Sequence, residues 1–193
     1  RGAMENFKPL TDEDAEKGMP PWQGLAPSAV GHVQRHFQPK EMDDGDIAAV
    51  KGSFREAVLR SVDAGFEMVE LHGAHGYLLH QFLSPLSNLR TDAYGGDIEG
   101  RMRFPLEVAE AAREALPDNL PLSYRISVVD GEGGQWGFSD SLHFAKALEE
   151  RGVDIIEFPP VVYLVIATCP TCLGCKATMW TLRNASSERS MQW

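Results

Sequence analysis

The chain has 193 residues, enough for one domain with a real core but short of the ~250 typical of a complete eight-stranded α/β barrel. Its formal net charge of −10 at pH 7 argues against nucleic acid or an anionic membrane surface as a partner. No apolar run approaches a membrane span and no signal-peptide pattern opens the chain, so a cytoplasmic location is expected.

Residues 1–45 are rich in Pro, Gly and Asp and show no sustained period. Pro20-Pro21-Trp22-Gln23-Gly24 and Ala26-Pro27-Ser28 are turn or extended chemistry, so this segment reads as a long loop-rich arm lying over a larger body. From Asp46 to Ala64 the pattern turns helical, with Ile47, Val50, Phe54, Val58 and Val62 on one apolar stripe. Asp43, Asp44 or Asp46 suits the N-cap, and Gly65 suits the left-handed position past the end. Phe66 to Leu71 then reads as a strand.

A second helix is predicted from about Arg101 to Leu116, burying Phe104, Val108, Ala111 and Ala115, and Pro117-Asp118-Asn119 ends it. Leu120 to Val129 is the next strand. A third helix begins at Ser139 and runs to Gly152, and Val153 to Glu157 forms a short third strand. Helices alternating with strands are the signature of a parallel sheet with crossover helices.

After Glu157 the order collapses. Phe158-Pro159-Pro160 interrupts the ladder, Val161 to Ala167 supports at most one more strand, and nothing beyond Thr168 shows a period or a cap. The chain therefore divides into a domain over 1–157 and a divergent, poorly ordered tail over 158–193. Cys169, Cys172 and Cys175 have a spacing that suggests iron–sulfur or zinc ligation, but no fourth cysteine completes the set and no metal is assigned.

The chemistry concentrates in residues 66–104. His72 and His75 stand three apart just past a strand end, where polar residues of open α/β and barrel folds form active sites. If the chain turns helically there, both imidazoles point the same way. Two such donors converging on one point would stabilise a carbonyl oxygen that gains negative charge, and Tyr77 adds a phenol that can give a proton. A histidine pair at this spacing alone is more often structural or part of a metal set.

The run HGAHGYLLHQFLSPLSN over 72–88, followed by Arg90-Thr91-Asp92 and Tyr94-Gly95-Gly96, resembles the old yellow enzyme family. Ala26-Pro27-Ser28-Ala29, Pro39-Lys40-Glu41-Met42, Tyr124-Arg125-Ile126-Ser127, Gly133-Gly134 and Trp136 extend the resemblance in order over 26–157. The paired histidines are similar to the branch found in bacteria and many fungi. The resemblance implies an α/β fold, a (β/α)8 TIM barrel, of which this chain would form a part with about three parallel strands. It implies an FMN-dependent oxidoreductase that takes hydride from NAD(P)H and reduces the activated alkene of an enone or quinone. By position, His72 and His75 would bind the substrate oxygen, Tyr77 would protonate the carbon opposite the hydride, and Arg125 would contact the flavin.

Asn88, Arg90, Asp92 and Tyr94 are expected to fix the loop rather than touch substrate, and His80 to be structural. Gly100 stands where the family usually has Asn, a change expected to loosen the loop. Nothing corresponds to the family's first strands or to the last two, whose loops hold the FMN phosphate. Open strand edges on both sides favour homo-oligomerisation, and the chain is expected to be a fragment with impaired or no activity on its own. Two other readings fit the residues: a degenerate paralogue acting as a binding module, and a flavin-free isomerase using the histidine pair and Tyr77.

Overall fold

The computed structural model describes residues 4–5, 8–9, 12–19, 23–30, 38–130, 134–158 and 179–181. Pro20 to Trp22, Gly133, Pro159 to Ala167 and the three cysteines lie outside the described residues, as does the rest of the tail apart from 179–181.

The N-terminal arm holds more regular structure than its composition predicts. Strands β1 (Met4–Glu5) and β2 (Lys8–Pro9) pair antiparallel, a short helix α1 spans Asp12–Glu16, and β3 (Leu25–Ala26) pairs in parallel with β4 (Lys40–Glu41). Elements of two to five residues are too short for a periodic signal to show.

Helix α2 spans Asp44–Asp63. Asp43 caps it by accepting the Asp46 N–H at 2.8 Å while the Asp46 carboxylate accepts the Asp43 N–H at 3.1 Å. Lys40 bridges both carboxylates, at 3.0 and 2.6 Å. Gly65 follows with φ +83, as a glycine at the end of a helix should. The first strand of the central sheet, β5, spans Val69–Gly73 and so starts later than Phe66; Phe66 and Met68 are exposed.

Two helices follow, α3 (Leu78–Leu83) and α4 (Ile98–Ala115). The second starts three residues earlier than predicted, because Asp97 accepts the Gly100 N–H at 2.9 Å and nucleates a turn before Arg101. Its buried side carries Phe104 and Val108 as expected, but Ala109 and Ala112 are the fully buried alanines, while Ala111 and Ala115 are only partly covered. Gly100 does not loosen this region. A Cβ there would collide with the Gly95 carbonyl, so the glycine lets the first turn of α4 close onto the loop before it.

Strand β6 (Leu122–Ile126), helix α5 (Phe138–Glu149) and strand β7 (Ile155–Glu157) complete the alternation. Gly137, not Ser139, is the N-cap of α5, and the Asp140 carboxylate accepts the Gly137 N–H at 2.9 Å. The sheet runs β5-β6-β7 in parallel, and a further strand β8 (Met179–Thr181) pairs antiparallel with β7. That last pairing departs from the all-parallel sheet predicted, and it satisfies an edge of β7 that would otherwise be bare.

The two faces of the sheet differ in kind. Leu71, Leu122, Tyr124, Ile126 and Ile156 point into one hydrophobic core with Val58 of α2, Phe104 and Val108 of α4, and Phe144 and Leu148 of α5. The alternate positions Glu70, His72, Ser123, Arg125 and Glu157 point away from that core. A parallel sheet in sequential order, with its helices on one face, positions these polar side chains together on the other.

Candidate functional site

The polar face is ordered by register. His72 pairs with Arg125 across β5 and β6, and Arg125 pairs with Glu157 across β6 and β7, so the three side chains form a row. The Arg125 guanidinium donates to the Glu157 carboxylate at 2.9 Å, and its Nε is buried with no hydrogen-bond partner among the described residues. One register step below, burial and then the neighbouring Glu157 raise the Glu70 carboxyl to about 7, against the pull of Arg125.

At the upper end of β5 the chain bends sharply. His75 has φ +59 and Gly76 φ +74, two successive left-handed residues, and the Tyr77 N–H returns to the Ala74 carbonyl at 3.2 Å. This left-handed turn, rather than the helical turn considered from the spacing, brings the histidines together. The His72 ring lies 5.2 Å from the His75 ring and 5.2 Å from the Tyr77 ring, centroid to centroid. Burial, with smaller contributions from His75 and Arg125, holds the His72 imidazole below its ordinary range, which favours the neutral ring. His75 and Tyr77 are exposed, Tyr77 by 63%. The cluster is thus an open surface whose floor is His72.

Each sequence-predicted site residue therefore has a place. His75 and Tyr77 both lie against the His72 ring, and Arg125 stands beside His72 on the next strand. The loop residues behave as expected. Asn88 donates to the carbonyls of Phe82 at 2.7 Å and Tyr94 at 2.8 Å. Arg90, 8% exposed, forks onto Asp92 and reaches the carbonyls of Pro27 at 2.9 Å and Met42 at 2.6 Å, tying the N-terminal arm to the loop.

Residues 10–184 match the family described as NADH:flavin oxidoreductase / NADH oxidase. The chain belongs to this family. It is 45% identical over 132 residues to the NADPH dehydrogenase of Bacillus velezensis, a match that takes in 68% of this chain and 38% of that protein. It is 40% identical over 144 residues to the NADH oxidase of Thermoanaerobacter brockii, covering 73% of this chain and 22% of the other. Among solved structures, morphinone reductase in complex with tetrahydroNAD is similar at TM-score 0.65 and 30% identity, over 71% of this chain and 42% of that one. Histamine dehydrogenase from Rhizobium sp. 4-9 is similar at TM-score 0.64 and 33% identity, over 70% of this chain and 20% of its own. The chain spans about two fifths or less of the relatives it matches, so in this flavin oxidoreductase family it represents part of the α/β barrel.

Several residues that shape the site had no role in the sequence reading. Ser127, just past β6, accepts the His75 N–H at 2.9 Å. Gln81 and Asp130 bear on the same turn and were not singled out. Glu70 and Glu157 could have been found from alternation alone, since each occupies the strand position that shares a face with His72 or Arg125. Ser127 and Asp130 leave no such trace, because their partners His75 and Ser84 are brought near only by the tertiary fold, and Gln81 leaves none because its partner is a backbone carbonyl.

Among the described residues no group of three or more His, Cys, Asp or Glu is placed to hold a metal ion, and no helix is long and apolar enough to cross a membrane.

Proposed function

We propose that this chain carries the substrate-binding part of an FMN-dependent NAD(P)H oxidoreductase that reduces the activated C=C bond of an enone or quinone. The observation that supports it is the packing of the His75 and Tyr77 rings, each 5.2 Å from the His72 ring, beside Arg125. The residues present suit a flavin in one respect that bears on its electronics: the buried, unpartnered Nε of Arg125 is a donor awaiting an acceptor. Arg125 would hold the electron-rich edge of the ring system, where a cation favours the reduced, more negative form. The flavin, when bound, supplies hydride taken from NAD(P)H.

The protein's own part is to bind, polarise and protonate. His72 and His75 donate N–H groups to the substrate carbonyl oxygen, and their donors strengthen as negative charge gathers there. A neutral His72 serves this role without a formal charge to desolvate, and burial holds it neutral. The Tyr77 hydroxyl, one ring's distance from His72, gives its proton to the alkene carbon next to the carbonyl, and solvent restores it through the exposed side of the ring.

The test is direct. Purified chain is mixed with FMN, freed of excess, and followed by visible absorbance and by NADPH oxidation with and without cyclohexenone. A retained flavin band is expected, with enone-dependent NADPH consumption weaker than that of a full-length relative. A colourless protein with no oxidation removes the redox reading for this chain.

A further inference from the structure

The turn that carries His75 and Tyr77 is gripped from behind. Gly76 is the residue between them, and its N–H and carbonyl, which belong to the two successive peptides of the turn, are taken by consecutive side chains of α3. Its N–H donates to His80 Nδ1 at 2.9 Å, and its carbonyl accepts from Gln81 Nε2 at 2.7 Å. His80 is only 9% exposed, far from the role of a surface histidine. Accepting at Nδ1 places the ring proton on Nε2, and that atom faces Asp130 Oδ1 at 3.4 Å, a charge–dipole contact rather than a closed hydrogen bond. The Asp130 side chain is 3% exposed, and its other oxygen accepts from Ser84 Oγ at 2.8 Å. Asp130 is in turn pinned by its own N–H, which donates to the Trp136 carbonyl at 3.1 Å.

This arrangement has a purpose that packing does not require. Two successive left-handed residues, one of them not glycine, sit in a sparsely populated backbone region, and such a turn persists only where its surroundings determine it. Ser127 fixes the His75 N–H, His80 holds the 75–76 peptide through the Gly76 N–H, and Gln81 joins the Tyr77 N–H bond to Ala74 in holding the 76–77 peptide. Because Gly76 is the one residue between them, its φ and ψ set the direction of Tyr77 relative to His75, and these two peptides fix both angles.

We propose that His80 and Gln81 are positioning residues that clamp the two peptides flanking Gly76 and so set the placement of His75 relative to Tyr77, with Asp130 selecting the His80 tautomer that accepts. The proposal deepens the reading of the site given above and rests on it for the roles of His75 and Tyr77. His80 is therefore coupled to the chemistry through the backbone, without touching substrate.

The test uses the whole chain and the variants His80→Phe, His80→Asn, Gln81→Leu and Asp130→Asn. Three quantities are followed: hydrogen exchange at the Gly76 amide, the dissociation constant of 4-hydroxybenzaldehyde as a probe of the two imidazoles, and the urea midpoint. H80F is expected to speed Gly76 exchange and weaken the phenol by about tenfold, the worth of one hydrogen bond to a fixed loop. H80N, whose amide oxygen can take the place of Nδ1, should recover most of both, and Q81L and D130N should fall between. Recovery of phenol affinity by H80N, at a urea midpoint shared with H80F, is an outcome that loss of packing cannot produce. The proposal is overturned if H80F leaves Gly76 exchange unchanged, or if ring 15N shifts of the unaltered chain put the His80 proton on Nδ1. The second measurement decides the matter even where H80F does not fold. A chain that binds no phenol yet loses Gly76 protection in H80F keeps the clamp and discards the functional reading instead.

Discussion

His72 and Arg125 are register partners on neighbouring parallel strands, and their side chains rise from the same face of the sheet. Burial first, then His75 and the guanidinium that Glu157 holds at 2.9 Å, press the imidazole toward neutrality. A neutral donor and a permanent cation thus stand side by side, one suited to a carbonyl oxygen and the other to an electron-rich ring edge.

Replacing His72 with Ala removes the floor of the site. If the pair stabilises an oxyanion, the loss should raise the barrier to enone reduction by ~2.7–4 kcal/mol, seen as a fall of about 10²–10³ in kcat. Steady-state kinetics with cyclohexenone and FMN-loaded chain gives the number. A fall of less than about threefold would show that His72 makes no such contact.

Tyr77→Phe separates protonation from binding. The ring contact with His72 survives, so the phenol probe should keep its affinity, while enone turnover drops by roughly 10²–10⁴. NADPH consumption in the absence of enone should be unchanged, and a variant that slows both equally would assign Tyr77 elsewhere.

Behind the site, Gly73 and Tyr124 are matched. The Tyr124 ring fills the space where a Cβ on Gly73 would lie, and its hydroxyl is fully buried with no hydrogen-bond partner among the described residues. Gly73→Ala should therefore destabilise by ~1–3 kcal/mol through overpacking. Tyr124→Phe should stabilise, by up to ~1–3 kcal/mol, since it removes an unsatisfied group and leaves the ring against Phe144, 5.5 Å away. Urea unfolding of the two variants tests both signs at once.

Glu70 gives the fold a pH dependence of known direction. Burial first, then Glu157, lift its carboxyl from 4.5 to about 7, so the folded protein holds this proton more tightly than the unfolded chain. The stability linked to it is complete below 4.5 and is lost as pH rises through about 7. His72 acts with the opposite sign: its lowered pKa makes its contribution present above 6.5 and lost as pH falls. Glu70→Gln should abolish only the first slope, so the variant gains on the unaltered chain between about pH 5 and about pH 8. Identical midpoints across that range would show that Glu70 titrates normally.

Much of this was legible in the residues. The three helices and three parallel strands follow from the spacing of Ile47, Val58, Phe104, Val108, Phe144 and Leu148, because packing against one face of a sheet imposes a helical period. The motif over 72–88 pointed to His72, His75 and Tyr77, and the fold gathers them. Asp43 shows where local signals compete: several aspartates could begin α2, and the geometry of one hydrogen bond chooses, while Asp97 sets a start for α4 that the apolar period alone places later. The left-handed turn at His75 could not be foreseen. Histidine carries no preference for it strong enough to register, and the donors that enforce it, held by Ser127 and His80, are backbone amides.

The grips on Gly76 come from four and five residues downstream. Closing so short a loop loses little chain entropy, and contacts of such low sequence separation are among the earliest to form. The geometry that gathers two imidazoles and a phenol is largely encoded within residues 72–81. It behaves as a cassette, gripped locally by α3 and locked when Ser127 of the neighbouring strand's end takes the His75 N–H.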